Sequence, residues 1–152
     1  EKHILTARNH AERMGRQFDS RSSPVEATAA AGDTYDVVLN MEVVEHVADV
    51  DGFLRASCEL VAPGGCMFVA TLNRTVKSFA FAIVGAEYVM RWLPRGTHDW
   101  RKFLRPSEIA TNLRQGGLSV DEFAGLSFDL LRDRWRIGSD LSVNYMSYAT
   151  RA

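Results

Sequence analysis

The chain opens with apolar residues at Ile4, Ala7, Ala11 and Met14, a helical spacing within EKHILTARNHAERM. Gly15 closes that pattern, and RQFDSRS after it predicts a short strand. SSPVEATAAAGD predicts a helical turn started by Pro24 and ended near Gly32. YDVVLN is a β-branched apolar run that suits a strand buried on both faces. A helix is expected over roughly Val50 to Val61, with Phe53, Leu54, Ser57, Cys58 and Val61 on one side. APGG (62–65) stops it, and CMFVATLN reads as the next buried strand. From 76 to 93, VKSFAFAIVGAEYVMRWL is strongly apolar but too short and interrupted to span a bilayer. Pro106 starts a further helix closed by Gly116 and Gly117. LSVDEFAGLSF and LSVNYMSYATRA predict two last strands, the second alternating like an antiparallel edge, with LLRDRWRIGSD as a hairpin connection between them. Strand and helix alternating over short connections indicate a parallel α/β sheet.

Composition narrows this only slightly. At 152 residues, 46% hydrophobic and 24% charged, the chain holds one globular domain. A net charge of −1 argues against a nucleic-acid partner, which calls for a broad positive field. Cys58 and Cys66 form neither a zinc spacing nor a disulfide framework, which favours a reducing compartment. No signal peptide pattern is visible, and the sequence starts in mid-helix without a cap, which raises the expectation of a preceding part.

Chemistry concentrates where ligands of open α/β sheets bind, just after a strand. In NMEVVEHVAD (40–49), Glu42, Glu45 and His46 stand at i, i+3 and i+4 and would share one face of a helix. Two carboxylates and an imidazole can hold a divalent ion, or one of them can take a substrate proton. A helix cap with a hydrogen-bonded histidine is the plainer alternative. In THDW (97–100), His98 and Asp99 are placed to orient a hydroxyl and Trp100 to cover a flat ring, or they form an ordinary loop. Lys77, Arg91, Arg95, Arg101, Lys102 and Arg105 edge the apolar stretch, a pattern suited to an anionic membrane surface or a lipid substrate, and Arg132, Arg134 and Arg136 add cations to that face or are simply solvated. No nucleophile elbow, no G-x-G-x-x-G and no ribose-binding acid after a second strand is present in the sequence.

Five segments go further: YDVVLNMEVVEHVADVDGFL, LVAPGG, FVATLNRTVKSFAFAIVGAEYV, LPRGTHDWRKFLRPSEI and VNYMSYATRA. Together they resemble the S-adenosylmethionine-dependent O-methyltransferases of ubiquinone biosynthesis. Strand–x–E–x–x–EH and PGG are shared by many class I methyltransferases, whereas TLNR with KS, IVGAEY, P-x-GTHDW-x-KF and VNYM are narrower. The resemblance implies a Rossmann-like α/β sheet of class I type with an antiparallel last strand. It implies that residues 1–152 are one N-terminally incomplete domain, lacking the first two strands and the cofactor loop, with 76–105 as an apolar and basic insertion. On this account the isolated chain has an exposed sheet edge and binds S-adenosylmethionine poorly.

The same resemblance places Met41, with Asn40, beside S-adenosylmethionine. It maps an E-x-x-E-H motif onto Glu42, Glu45 and His46 as ligands of Mg²⁺ or another divalent ion, with Glu45, His46 and His98 on the catalytic side. Zinc suits a Glu/Glu/His set better than magnesium does, and His46 as a general base is the metal-free alternative. The implied partners are a polyprenylated phenol or catechol, an anionic membrane surface and other quinone-biosynthesis enzymes. The implied location is the cytoplasmic side of a bacterial inner membrane, or the matrix side of the mitochondrial one. Two other functions fit the same residues: methylation of another small phenol or lipid, and a catalytically silent lipid-binding module. Where relatives carry Tyr-Asn-Pro, this chain reads SFDLLRDRW (127–135).

Overall fold

The computed structural model describes residues 2–80, 99–129 and 134–152. Along the chain run α1 (Lys2–Arg13), α2 (Val25–Ala30), β1 (Tyr35–Met41), α3 (Val50–Glu59), β2 (Val61–Leu72), the one-turn α4 (Val76–Ser78), α5 (Pro106–Gln115), β3 (Ser119–Asp129), β4 (Arg134–Gly138) and β5 (Asn144–Thr150). Single 3-10 turns lie at Val44–His46 and Trp100–Lys102. The five strands form one sheet in the order β1-β2-β5-β3-β4. β1 and β2 are parallel, while β5 runs antiparallel to both β2 and β3.

The starts of α3 and α5 have local causes. Asp49 caps α3 by accepting the Gly52 N–H at 3.0 Å. Pro106 occupies the first turn of α5, and Glu108 reaches back to the Arg105 N–H. β2 begins earlier than its sequence suggests, at Val61, and takes APGG into the strand. A side chain at Gly65 would lie 2.8 Å from the Asp36 carbonyl, so only glycine lets β2 pass β1 where the register shifts between Tyr35 and Val37.

The core lies on one face of the sheet. Leu54 and Cys58 of α3 and Ile109 and Leu113 of α5 pack on Met67, Val69, Tyr145 and Ala149. Leu54 and Ile109 are completely buried, each contributing about 2 kcal/mol of transfer free energy. Burial also pushes the Cys58 thiol up to about 11, so it acts as a small apolar side chain. The Tyr145 hydroxyl donates to the Leu104 carbonyl at 3.0 Å, which satisfies a phenol that burial drives upward in pKa. At the opposite end, Arg151 donates to the carbonyls of Cys58 (2.8 Å) and Gly116 (3.1 Å), joining the C-terminal ends of α3 and α5.

Several expectations are corrected, among them the parallel sheet: of the described strands only β1 and β2 pair in parallel. YDVVLN is not buried on both faces: Tyr35, Val37, Leu39 and Met41 point away from the core and are 44–61% exposed. On that face no described element covers β1, and no described strand pairs with its outer edge. RQFDSRS forms no strand; residues 16–24 are irregular, because a strand without a partner leaves its backbone groups unpaired. LSVNYMSYATRA is not an edge but the middle strand, and its alternating burial marks the core-facing Tyr145, Ser147 and Ala149. Part of LLRDRWRIGSD, expected as the connection between the last two strands, is itself a strand: RWRIG is β4 and pairs antiparallel with β3. The apolar stretch enters the described structure only through α4 and the residues just after it; 81–98 lie outside it.

Candidate active site at the strand ends

β1 ends in a turn that separates the expected cluster. The Glu42 N–H still bonds the Ala70 carbonyl at 2.9 Å, extending the parallel pairing one residue beyond Met41. Glu42 itself has φ 54, a left-handed backbone that few non-glycine residues adopt. After it comes not an α-helix but a single 3-10 turn closed by His46 N–H to the Val43 carbonyl at 2.9 Å. The i, i+3, i+4 face is therefore absent. Glu45 turns inward and is 2% exposed, while the His46 side chain is half exposed, its Nε2 3.9 Å from Glu45 Oε1.

Inside, the Thr71 hydroxyl donates to Glu45 Oε2 at 2.8 Å. Glu45 Oε1 is buried without a hydrogen-bond partner. Glu42, exposed as a residue, has its carboxyl next to that of Glu45; desolvation of the carboxyl first, then the charge of Glu45, push Glu42 up to about 7. The result is a pair of neighbouring carboxyls at the C-terminal ends of β1 and β2, one of which holds its proton near neutrality. Such a pair accepts or returns a proton under mild conditions.

The remaining candidates are distributed as follows. Met41 lies at the end of β1 on the open face, 44% exposed. Asn40 points the other way, is 8% exposed, and donates from Nδ2 to Met67 Sδ at 3.8 Å. The two thus flank the sheet rather than sharing a surface. His98 lies outside the described residues. Asp99 caps the following 3-10 turn by accepting the Arg101 N–H at 3.0 Å. Trp100 is a brace rather than a cover for a substrate ring, since its indole N–H donates to the Thr75 carbonyl at 2.8 Å and its ring meets Phe79 edge-on. Lys77, expected to face a membrane, pairs with Asp140 at 2.7 Å.

Among the described residues no three His, Cys, Asp or Glu side chains are grouped to hold a metal ion. The ligand set Glu42, Glu45 and His46 is not formed as one helix face: a 3-10 turn replaces the helix, and His46, half exposed, keeps its Nε2 3.9 Å from Glu45 Oε1. The sequence reading missed Thr71, whose signal was a lone hydroxyl residue near the end of the otherwise apolar VATL. It also missed a cleft of about 650 Å³ between α3 and α5, lined by Val47, Asp51, Arg74, Lys102, Phe103 and Glu108. Arg74 and Glu108 form an ion pair across it.

Comparison with known proteins gives this geometry its setting. A family profile described as "Methyltransferase domain" matches residues 5–122. The chain belongs to that methyltransferase family. "Ubiquinone biosynthesis O-methyltransferase" of Parvibaculum lavamentivorans is 53% identical over 152 residues, covering 100% of this chain and 60% of the relative. The protein of the same description from Brucella anthropi is 53% identical over 148 residues, covering 97% and 60%. This methyltransferase chain thus spans about 60% of the length of these curated relatives. Among solved structures, magnesium protoporphyrin IX methyltransferase from Synechocystis PCC 6803 with bound SAH aligns over 100% of this chain and 60% of its own, at TM-score 0.60 and 14% identity. TehB from Haemophilus influenzae aligns over 100% and 47%, at TM-score 0.62 and 11% identity. The fold is therefore that of the class I methyltransferase sheet with its antiparallel strand, and in this chain the glutamate pair sits where β1 and β2 end.

Proposed function

We propose that the chain is the acceptor-side part of an S-adenosylmethionine-dependent O-methyltransferase that acts on a polyprenylated catechol or phenol in ubiquinone biosynthesis. The observation that carries the reading is the Glu42–Glu45 pair at the strand ends, in a chain 53% identical to proteins described as ubiquinone biosynthesis O-methyltransferases.

S-adenosylmethionine supplies a methyl group already activated by its positive sulfur. The protein's task is to place the acceptor oxygen and take its proton. A phenol titrates near about 10, so a carboxylate raised toward neutrality is a better base than an ordinary one. In this scheme Glu42 accepts the acceptor's proton, and buried Glu45, held by Thr71, occupies the second position. Met41, on the open side of β1, packs against the cofactor, and Asn40 supports it from beneath the sheet.

A divalent ion belongs to the proposal with two ligands rather than three. Mg²⁺ is commonly held by one or two carboxylates plus waters, and the Glu42–Glu45 pair, with Glu45 Oε1 making no hydrogen bond, suits it. When bound, such an ion lowers the acceptor's pKa. His46 and His98 are retained as residues to test on the acceptor side. The exposed Arg101 and Lys102 support a peripheral seat on an anionic membrane; no helix among the described residues is long and apolar enough to cross one.

The test uses the chain alone and the chain extended at its N-terminus with the preceding part of the Parvibaculum relative. Transfer of a labelled methyl group to a polyprenyl catechol by the extended protein, lost in Glu45→Gln, is expected. Equal transfer to short phenols without a tail would instead assign a general phenol methyltransferase. Tail binding without any transfer would assign a lipid-binding module. Micromolar binding of S-adenosylmethionine by the 152-residue chain alone would overturn the division of labour.

A further inference from the structure

The end of β2 governs both glutamates. Through its carbonyl, Ala70 receives the Glu42 N–H at 2.9 Å and fixes where β1 stops pairing, so that Glu42 enters its left-handed turn. One residue later, Thr71 donates its hydroxyl to Glu45 Oε2 at 2.8 Å. Thr71 is completely buried and Glu45 nearly so, which leaves water little chance to compete for this bond.

The strand gives a reason to treat that hydroxyl as more than packing. The core-facing residues before it in β2 are Met67 and Val69, both fully buried and apolar. A valine at 71 would continue the pattern with nearly the same shape. A buried hydroxyl costs free energy unless it is bonded, and the bond Thr71 makes goes to a carboxylate. With Oε2 held, the carboxylate plane is fixed and Oε1 is left without a partner. Oε1 is also the oxygen 3.9 Å from His46 Nε2.

We propose that Thr71 is the positioning residue of this site: its hydroxyl holds Glu45 Oε2 and so fixes the carboxylate of the pair, leaving Oε1 on the side of His46. The inference rests on the reading of Glu42 and Glu45 as the acceptor-side pair, and it adds the residue that orients them.

Two arms test it. In the 152-residue chain, NMR should detect a Thr71 hydroxyl proton that exchanges slowly with water and gives a cross-peak to the Glu45 side chain. Thr71→Val should lose that signal and average the Glu45 side-chain resonances, and Thr71→Ser should restore both. A Thr71 hydroxyl proton exchanging as fast as a surface one, or Glu45 resonances unchanged in Thr71→Val, overturns the proposal. If Thr71→Val does not fold, the unaltered chain and Thr71→Ser still decide it. In the extended protein, Thr71→Val should lower kcat about tenfold with KM unchanged, the scale of one lost hydrogen bond to a charged group, and Thr71→Ser should recover it. Full turnover in Thr71→Val alongside an inactive Glu45→Gln overturns the positioning role alone. Unaltered turnover in Glu45→Gln overturns the reading of the pair, and the NMR arm then still decides whether Thr71 orients Glu45.

Discussion

The two faces of the sheet are built from the same strands but finished differently. On the face toward α3 and α5, Val38, Met67, Val69, Tyr145 and Ala149 meet helix side chains and close a core. On the other, Tyr35, Val37, Leu39 and Met41 of β1 continue into Phe68, Tyr148 and Met146, with Ile137 79% exposed at the far side. Phe68 and Tyr148 stack at 5.0 Å around a hollow of about 360 Å³ that nothing described here fills. Alternation along a strand commits its residues to two sides at once, so a strand with apolar residues at every position needs cover on both. Stability resides on the first face, and unspent apolar surface on the second.

The largest expected break of this contrast is in the core. Ile109→Ala should cost about 2–5 kcal/mol in denaturant unfolding, as a buried aliphatic truncation does, whereas Leu39→Ala on the open face should change stability by about 0.5 kcal/mol or less. A comparable loss at Leu39 would mean that the open face is covered in solution. Removing the α3 cap with Asp49→Ala should cost about 1 kcal/mol, read by the same unfolding curves. Replacing Val37 and Leu39 together by threonine should leave the melting temperature nearly unchanged but reduce self-association at high concentration, measured by sedimentation. The smallest effect concerns pH. Glu42 binds its proton more tightly folded than unfolded, so the folded state carries the extra proton between the ordinary carboxylate range and about 7. Stability should therefore fall as pH rises through that window, and Glu42→Gln should flatten the dependence. A profile unaltered in Glu42→Gln would place the titration elsewhere.

Periodicity made α2, α3, α5 and both apolar strands legible, because each is bounded by a local signal: Pro24, Asp49, Pro106, or a glycine. What stayed hidden depends on neighbours. YDVVLN reads as doubly buried because its composition is that of a central strand, yet its outer side has no partner among the described residues. RQFDSRS has strand-like residues and nothing to pair with. β5 alternates like an edge strand, but its exposed-looking positions contact a sheet face that lacks cover rather than solvent at an edge. At the site, Glu42, Glu45 and His46 were visible as residue types. Their helical spacing misled because the left-handed turn at Glu42 and the 3-10 turn after it replace the helix, burying Glu45 while the His46 side chain stays half exposed. Thr71 is 26 residues from Glu45, and no local pattern joins a hydroxyl in one strand to a carboxylate after another.

The place of β5 has a consequence for how this domain is made. The strand follows every other described element in the sequence, yet it lies in the middle of the sheet, between β2 and β3. A growing polypeptide can form α3 and lay β1 along β2 early, but β3 then has no neighbour on its inner side until residues 144–150 emerge. The sheet is thus completed by insertion rather than by extension. During that interval β2 and β3 both wait with open inner edges, and long-range pairing of this kind is slow. Arg151, which ties the ends of α3 and α5, follows β5 and closes the assembly after the strand beside it has entered.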